Sequence, residues 1–132
     1  DARIATVRFP GLPGQDPRAL IGRQMLGPGS VLSFELADAD PAVLREFVSA
    51  LALITPAVSL GSTDTLIQPP ATLTHRVVAA ESRAEAGITG GLLRVSVGLE
   101  DVRDLWHDLD QALAVVPSHH GERSAGLVAL SV

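Results

Sequence analysis

Two stretches decide how this chain reads: Ser59–His75, SLGSTDTLIQPPATLTH, and Gly91–Asp101, GLLRVSVGLED. In Leu92-Leu93-Arg94-Val95-Ser96-Val97 an extended backbone sends successive side chains to opposite faces. Leu93, Val95 and Val97 then share an apolar face suited to a core, and Leu92, Arg94 and Ser96 share the other. An arginine on a strand is a rigidly mounted, permanently charged fork that matches a carboxylate. Spacing alone leaves two uses for Arg94. It is either a water-facing or acid-paired arginine, the ordinary fate of the residue type, or a grip for an anionic ligand. The second polar device is the Ser59-Leu60-Gly61 bend, which closes the short strand candidate Pro56–Leu60. From Ser62 to Thr74 the chain reads as loop, broken at Pro69-Pro70. His75 has no cysteine partner and reads as structural.

Outward from these stretches, elements follow from punctuation and period. Ile4–Phe9 is a strand candidate that ends at Pro10-Gly11. Asp16-Pro17 carries the cap-plus-proline start of a helix expected to run to about Leu26, with Leu20, Ile21 and Met25 buried and Gly27-Pro28-Gly29 stopping it. Val31–Leu36 alternates, with Leu32, Phe34 and Leu36 on one face and Val31, Ser33 and Glu35 on the other, as a central strand would. Asp40-Pro41 repeats the helix start, and Leu44, Phe47, Val48 and Leu51 recur at helical spacing. Asp38 and Asp40 are too few to hold a metal, and capping accounts for Asp40.

Downstream, residues 76–79 are a further strand candidate and Glu81–Ala86 a short helix. After Gly98, Glu100 and Asp101 suit the positive end of a last helix. Val102, Leu105, Trp106, Leu109 and Leu113 predict its apolar face, leaving Asp104, Asp108 and Asp110 solvated. Pro117 ends it. His119-His120 reads as surface tail rather than as a weak metal site, and Gly126–Val132 is an apolar run fit to pack back as a strand or to mediate a contact.

Composition sets the outer limits. The chain has 132 residues, 46% of them hydrophobic, enough for one folded domain with its own core. A net charge of −5 argues against a nucleic-acid surface, which needs clustered basic residues. There is no cysteine, hence no disulfide and no thiolate chemistry. No apolar run approaches the roughly 20 residues of a membrane helix, and Asp1-Ala2-Arg3 does not open a signal peptide. These features fit a cytoplasmic protein. The fold they predict is α+β: a small, mostly antiparallel sheet from strands near 4–9, 31–36, 55–59 and 92–97, with helices packed largely on one face.

SLGSTDTLIQPPATLTH followed by EAGITGGLLRVSVGLEDVRDLWHDLDQAL resembles the C-terminal domain of the pyridoxal-phosphate (PLP) enzymes of cysteine and methionine metabolism, the trans-sulfuration family. RFPGL (Arg8–Leu12) and RQMLGPGSVLSFEL (Arg23–Leu36) resemble the same domain in the same order, so the likeness spans roughly residues 3 to 115. It implies a small C-terminal domain over residues 1–117, followed by a tail over 118–132. It further implies that Arg94 binds the substrate's α-carboxylate and that Ser59 helps through its backbone N–H. Thr74 would support the arginine or the carboxylate, and Val58 would line the side-chain pocket. Enzymes of the family that process cystathionine often carry glutamate at the Val58 position, and methionine gamma-lyases and some sulfhydrylases carry valine. A glutamate suits a distal amino group and valine an apolar thioether tail. The family frequently has glutamate at the place of Asp64, histidine at that of Pro69, and histidines in the loop where Gln15, Asp16 and Arg18 stand.

One absence bears on all of this: the sequence contains no lysine, and its ten basic residues are all arginines. A PLP enzyme holds its cofactor as a Schiff base on a lysine. The resemblance therefore implies that the catalytic lysine belongs to an N-terminal PLP-binding domain of the same enzyme, and that this chain alone is inactive. The implied substrate is a sulfur amino acid or an activated homoserine, and the implied assembly a homodimer or tetramer. A free-standing, non-catalytic binding or scaffolding domain of the same descent is the alternative.

Overall fold

The computed structural model describes residues 1–71, 82 and 85–117. Among the described residues, one five-stranded sheet holds β1 (Ile4–Arg8), β2 (Val31–Leu36), β3 (Thr55–Pro56), β4 (Leu66–Gln68) and β5 (Leu92–Ser96), and the two helices described in full are α1 (Pro41–Ala50) and α2 (Val102–Leu113). The strands lie in the order β1-β2-β5-β4-β3, antiparallel except for the parallel β3–β4 pair. The last strand among the described residues is thus the middle strand of the sheet. Its neighbours cover it on both sides, and only Arg94 of its five residues is more than marginally accessible.

The alternation read from β2 and β5 holds on the core face. Phe34, Leu36, Leu93 and Val95 are buried there against Leu44 and Phe47 of α1 and Leu105, Ala112 and Leu113 of α2. Phe34 and Phe47 meet edge to face, 6.1 Å between centroids at 86°, which seats α1 on β2. The α+β fold expected from the sequence is the fold observed. α1 starts as its Asp-Pro signal predicts: the Asp40 carboxylate accepts the Ala42 N–H at 2.6 Å, and Pro41 takes the first helical position. Asp38 accepts the Asp40 N–H at 2.9 Å, so both aspartates serve this corner.

Four expectations are corrected. The Asp16–Leu26 segment is a run of turns, not a helix. The Asp16 carboxylate bonds the N–H groups of Leu20 and Ile21, four and five residues on, which closes a loop instead of capping a helix. Ala19 at φ 48° and Gly22 at φ 84° then turn the backbone off any right-handed helical path. Second, residues 62–74 are not all loop, since Leu66–Gln68 forms β4 beside β5. All three of its residues are buried, so it shows no period-2 signal, and the prolines after it mask its end. Third, the strand expected at 55–59 stops at Pro56; only the Ala57 N–H still reaches Ile67 O, at 3.0 Å, before the chain leaves the sheet. Fourth, the buried side of α2 is Leu105, Asp108, Ala112 and Leu113, whereas Val102 is 63% and Trp106 67% exposed. These two rim an apolar groove of about 520 Å³ between α2 and β1–β2, lined also by Leu32, Phe34 and Leu109. The strand expected at 76–79, Thr74, His75, residues 81, 83 and 84 of the short helix expected over Glu81–Ala86, and the 118–132 tail lie outside the described residues.

Two carboxylates staple the connections. Asp108, expected to be solvated, is buried and accepts three consecutive backbone N–H bonds, from Ala52 (2.8 Å), Leu53 (3.0 Å) and Ile54 (2.8 Å). Gln111 of the same helix caps the α1 carbonyl of Ala50 at 2.6 Å. Burial alone would raise the Asp108 pKa; the three N–H bonds and the Gln111 amide outweigh it and hold the carboxyl below its ordinary value. Glu100 accepts the Thr65 N–H at 2.6 Å and the Thr65 hydroxyl at 2.7 Å, and these two bonds hold its carboxyl below the ordinary value. The Gly98 N–H donates to the Thr65 hydroxyl at 2.9 Å and Leu99 N–H to Thr63 O at 2.8 Å, tying the start of β4 to the end of β5.

Two outcomes follow for stability. Asp108→Asn places an amide N–H₂ against backbone donors and is expected to cost about 2 kcal/mol or more in urea unfolding. Because the folded Asp108 carboxyl titrates below the unfolded one, its stabilisation is complete above the unfolded pKa and lost as pH falls through the folded value. The variant should therefore lose less stability than the parent on acidification below about pH 4. A Cβ at Gly98 would run into the backbone of Thr63 and Asp64 and meet Glu100 Oε2 at 2.7 Å. Gly98→Ala should cost about 1–3 kcal/mol in the same assay, and an unchanged midpoint would contradict this packing.

Candidate functional site

The site grows from the face of β5 that turns away from the helices. Residues opposite one another in an antiparallel pair share a face. Arg94 lies opposite Ser33 of β2 on one side and Gln68 of β4 on the other, and Ser33 lies opposite Arg8 of β1. A polar row, Arg8-Ser33-Arg94-Gln68, therefore crosses four strands of this face. Arg8 is spent on the carbonyl of Gly87, at 3.2 Å. No carboxylate among the described residues forms an ion pair with Arg94.

Above this row hangs the bend that the sequence singled out. Once past Ala57 the chain is free of the sheet, and Gly61, at φ 79°, makes the turn that brings it back. Two residues of β5 hold it. Arg94 Nη2 donates to the Ser59 carbonyl at 2.6 Å, and the Gly61 N–H donates to Ser96 Oγ at 2.9 Å. The structure thus brings Arg94 and Ser59 together, with the serine's carbonyl as the contact. Among the described residues none takes the Ser59 N–H or its hydroxyl. Val58 and Leu60 flank it at 60% and 58% exposure, so the bend presents an apolar rim around a cationic centre. Thr74, the remaining candidate, lies outside the described residues.

The sequence reading missed two participants. Ser96 lies on the predicted second face, yet it is buried because the bend covers it. Gln68, 2% exposed, stands beside Arg94 because β4 exists; the three-residue run Leu66-Ile67-Gln68 before two prolines was its only trace. This arrangement can hold a small anion with an adjacent apolar group: a fork with one arm on a carbonyl, a backbone donor that no described residue takes, and valine and leucine beside them.

Comparison with known proteins agrees in fold and sequence. The family "Cys/Met metabolism PLP-dependent enzyme" matches residues 1–114. An L-methionine gamma-lyase of Brevibacterium sandarakinum is 54% identical over 110 residues, 83% of this chain and 27% of that protein. The cystathionine gamma-synthase of Escherichia coli K12 is 48% identical over 107 residues, 81% of this chain and 28% of that protein. Among solved structures, a cystathionine gamma synthase from Xanthomonas oryzae pv. oryzae in complex with cystathionine superposes with a TM-score of 0.79 at 44% identity, over 88% of this chain and 30% of that one. The chain thus spans little more than a quarter of the length of the curated relatives it matches. With the sheet order, the paired Ser-Leu-Gly bend and arginine, and a family match over residues 1–114, the chain belongs to the Cys/Met metabolism PLP-dependent enzymes.

Proposed function

We propose that the chain is the substrate-carboxylate-binding C-terminal domain of a PLP-dependent enzyme acting on sulfur amino acids or activated homoserine, by elimination or replacement at the β- or γ-carbon. The observation that supports this most is Arg94. It is a guanidinium on the central strand, with one arm on the Ser59 carbonyl, no acid partner among the described residues, and an apolar rim beside it. In this reading Arg94 takes the α-carboxylate through parallel hydrogen bonds. Ser59 adds its N–H, Thr74 supports the pair, and Val58 meets the side chain. Gripping the carboxylate fixes the direction of the Cα–H bond, and orientation of this kind lowers a barrier by several kcal/mol.

Without a lysine this chain forms no Schiff base with PLP. The cofactor lysine is assigned to polypeptide outside these 132 residues, in an N-terminal PLP-binding domain. The chain alone is accordingly inactive, and the working enzyme is a homodimer or tetramer of the longer polypeptide. The same absence of lysine is what a free-standing binding module would show. An upstream coding region with a lysine-bearing domain decides for the enzyme.

In the full-length enzyme, Arg94→Ala is expected to raise KM, lower kcat, and cut kcat/KM by about a hundredfold or more; unchanged kinetics would refute the grip. Val58→Glu should shift preference from methionine toward cystathionine by about tenfold in the ratio of kcat/KM values. An unshifted ratio would remove Val58 from the pocket.

A further inference from the structure

Three buried polar atoms lack any hydrogen-bond partner among the described residues: Gln68 Oε1, Thr89 Oγ1 and Arg94 Nε. Buried polar groups are nearly always paired, so each orphan asks for a reason. Two of the three belong to residues that face each other across β4 and β5, on the same side of the sheet. One is an acceptor and the other a donor. Gln68 is almost wholly buried, at 2% exposure, in a strand whose other two residues are apolar. A glutamine is a costly way to fill such a place unless its amide is used.

We propose that Gln68 is a positioning residue for Arg94, its Oε1 accepting the Arg94 Nε–H when the guanidinium swings from the Ser59 carbonyl onto a carboxylate. This rests on the reading of Arg94 as the carboxylate grip. With one arm on Ser59 O at 2.6 Å, the fork is drawn toward the bend and Nε–H is left without a partner. Released from Ser59, the plane can turn so that both terminal nitrogens face the ligand while Nε–H faces Gln68. That single rotation satisfies both orphans. The neutral amide does this without competing for the charge, whereas a carboxylate in its place would occupy the fork. Ser33, the residue opposite Arg94 on the other side, is too short to hold it against such a turn.

The test is a mutant cycle in the full-length holoenzyme, read by calorimetric titration with L-norleucine, an amino acid without a side-chain leaving group, and with its amide, which has no carboxylate. Gln68→Met should weaken norleucine binding about tenfold and leave norleucinamide binding unchanged. In an Arg94→Lys background, which has no Nε–H, Gln68→Met should change norleucine binding by less than about twofold. Gln68→Glu, an isosteric change that also serves if the methionine variant does not fold, should weaken norleucine binding by more than tenfold. Equal effects of Gln68→Met in both backgrounds, equal effects on acid and amide, or wild-type affinity in Gln68→Glu would overturn the proposal. Norleucine affinity unchanged by Arg94→Lys alone would instead bring down the carboxylate grip beneath it.

Discussion

Two hydrogen bonds from one strand hold the Ser59–Gly61 bend in place, and the geometry of the site depends on them. Arg94 reaches the Ser59 carbonyl and Ser96 receives the Gly61 N–H, and the two are a single strand period apart on one face of β5. A period-2 strand places such residues on the same side at fixed separation, so the bend is gripped at both ends by side chains mounted on a rigid strand. The cation is thereby kept on a short leash, with no carboxylate among the described residues to neutralise it. A carbonyl is a weaker partner for a guanidinium than a carboxylate is, and an incoming anion can displace it.

The scaffold under this arrangement relies on ionised carboxylates spent on backbone amides. Asp108 collects three successive N–H groups where the chain leaves α1 for β3, and Glu100 holds Thr65, the residue that leads into β4. Both connections are irregular, and both would otherwise bury N–H groups with no strand or helix to bond them. β3 offers only two residues and β4 three, so the ladder on that side is thin. The carboxylates make up for the short strands and hold the side of the sheet from which the bend departs.

Much of this was legible in the residues. β2 and β5 show clean alternation, and α1 announces itself by a capping aspartate and a proline, because these signals are local. Arg94 and Ser59 were visible for the same reason: a charge in a strand and a serine at a bend stand out against apolar neighbours. What could not be read depends on tertiary context. Asp16-Pro17 has the same letters as Asp40-Pro41, yet its carboxylate reaches further along the chain and closes a loop. Asp108 looks like any surface acid until the 52–54 backbone is laid against it. β4 is buried on both faces and so carries no period, and with it Gln68 stayed hidden.

The place of β5 in the sheet carries a consequence for biosynthesis. β1 and β2 pair with each other, as do β3 and β4, but the two halves touch in the ladder only through β5. During translation the sheet cannot close until β5 has left the ribosome, well after β1 and β2. Until then each hairpin-sized half exposes one unpaired edge and an uncovered apolar face, a state open to aggregation. A premature stop before Leu92 would leave two sheet fragments with nothing to join them, and the pairing of residues some sixty positions apart, such as Ser33 with Arg94, makes this the slow, late event of folding.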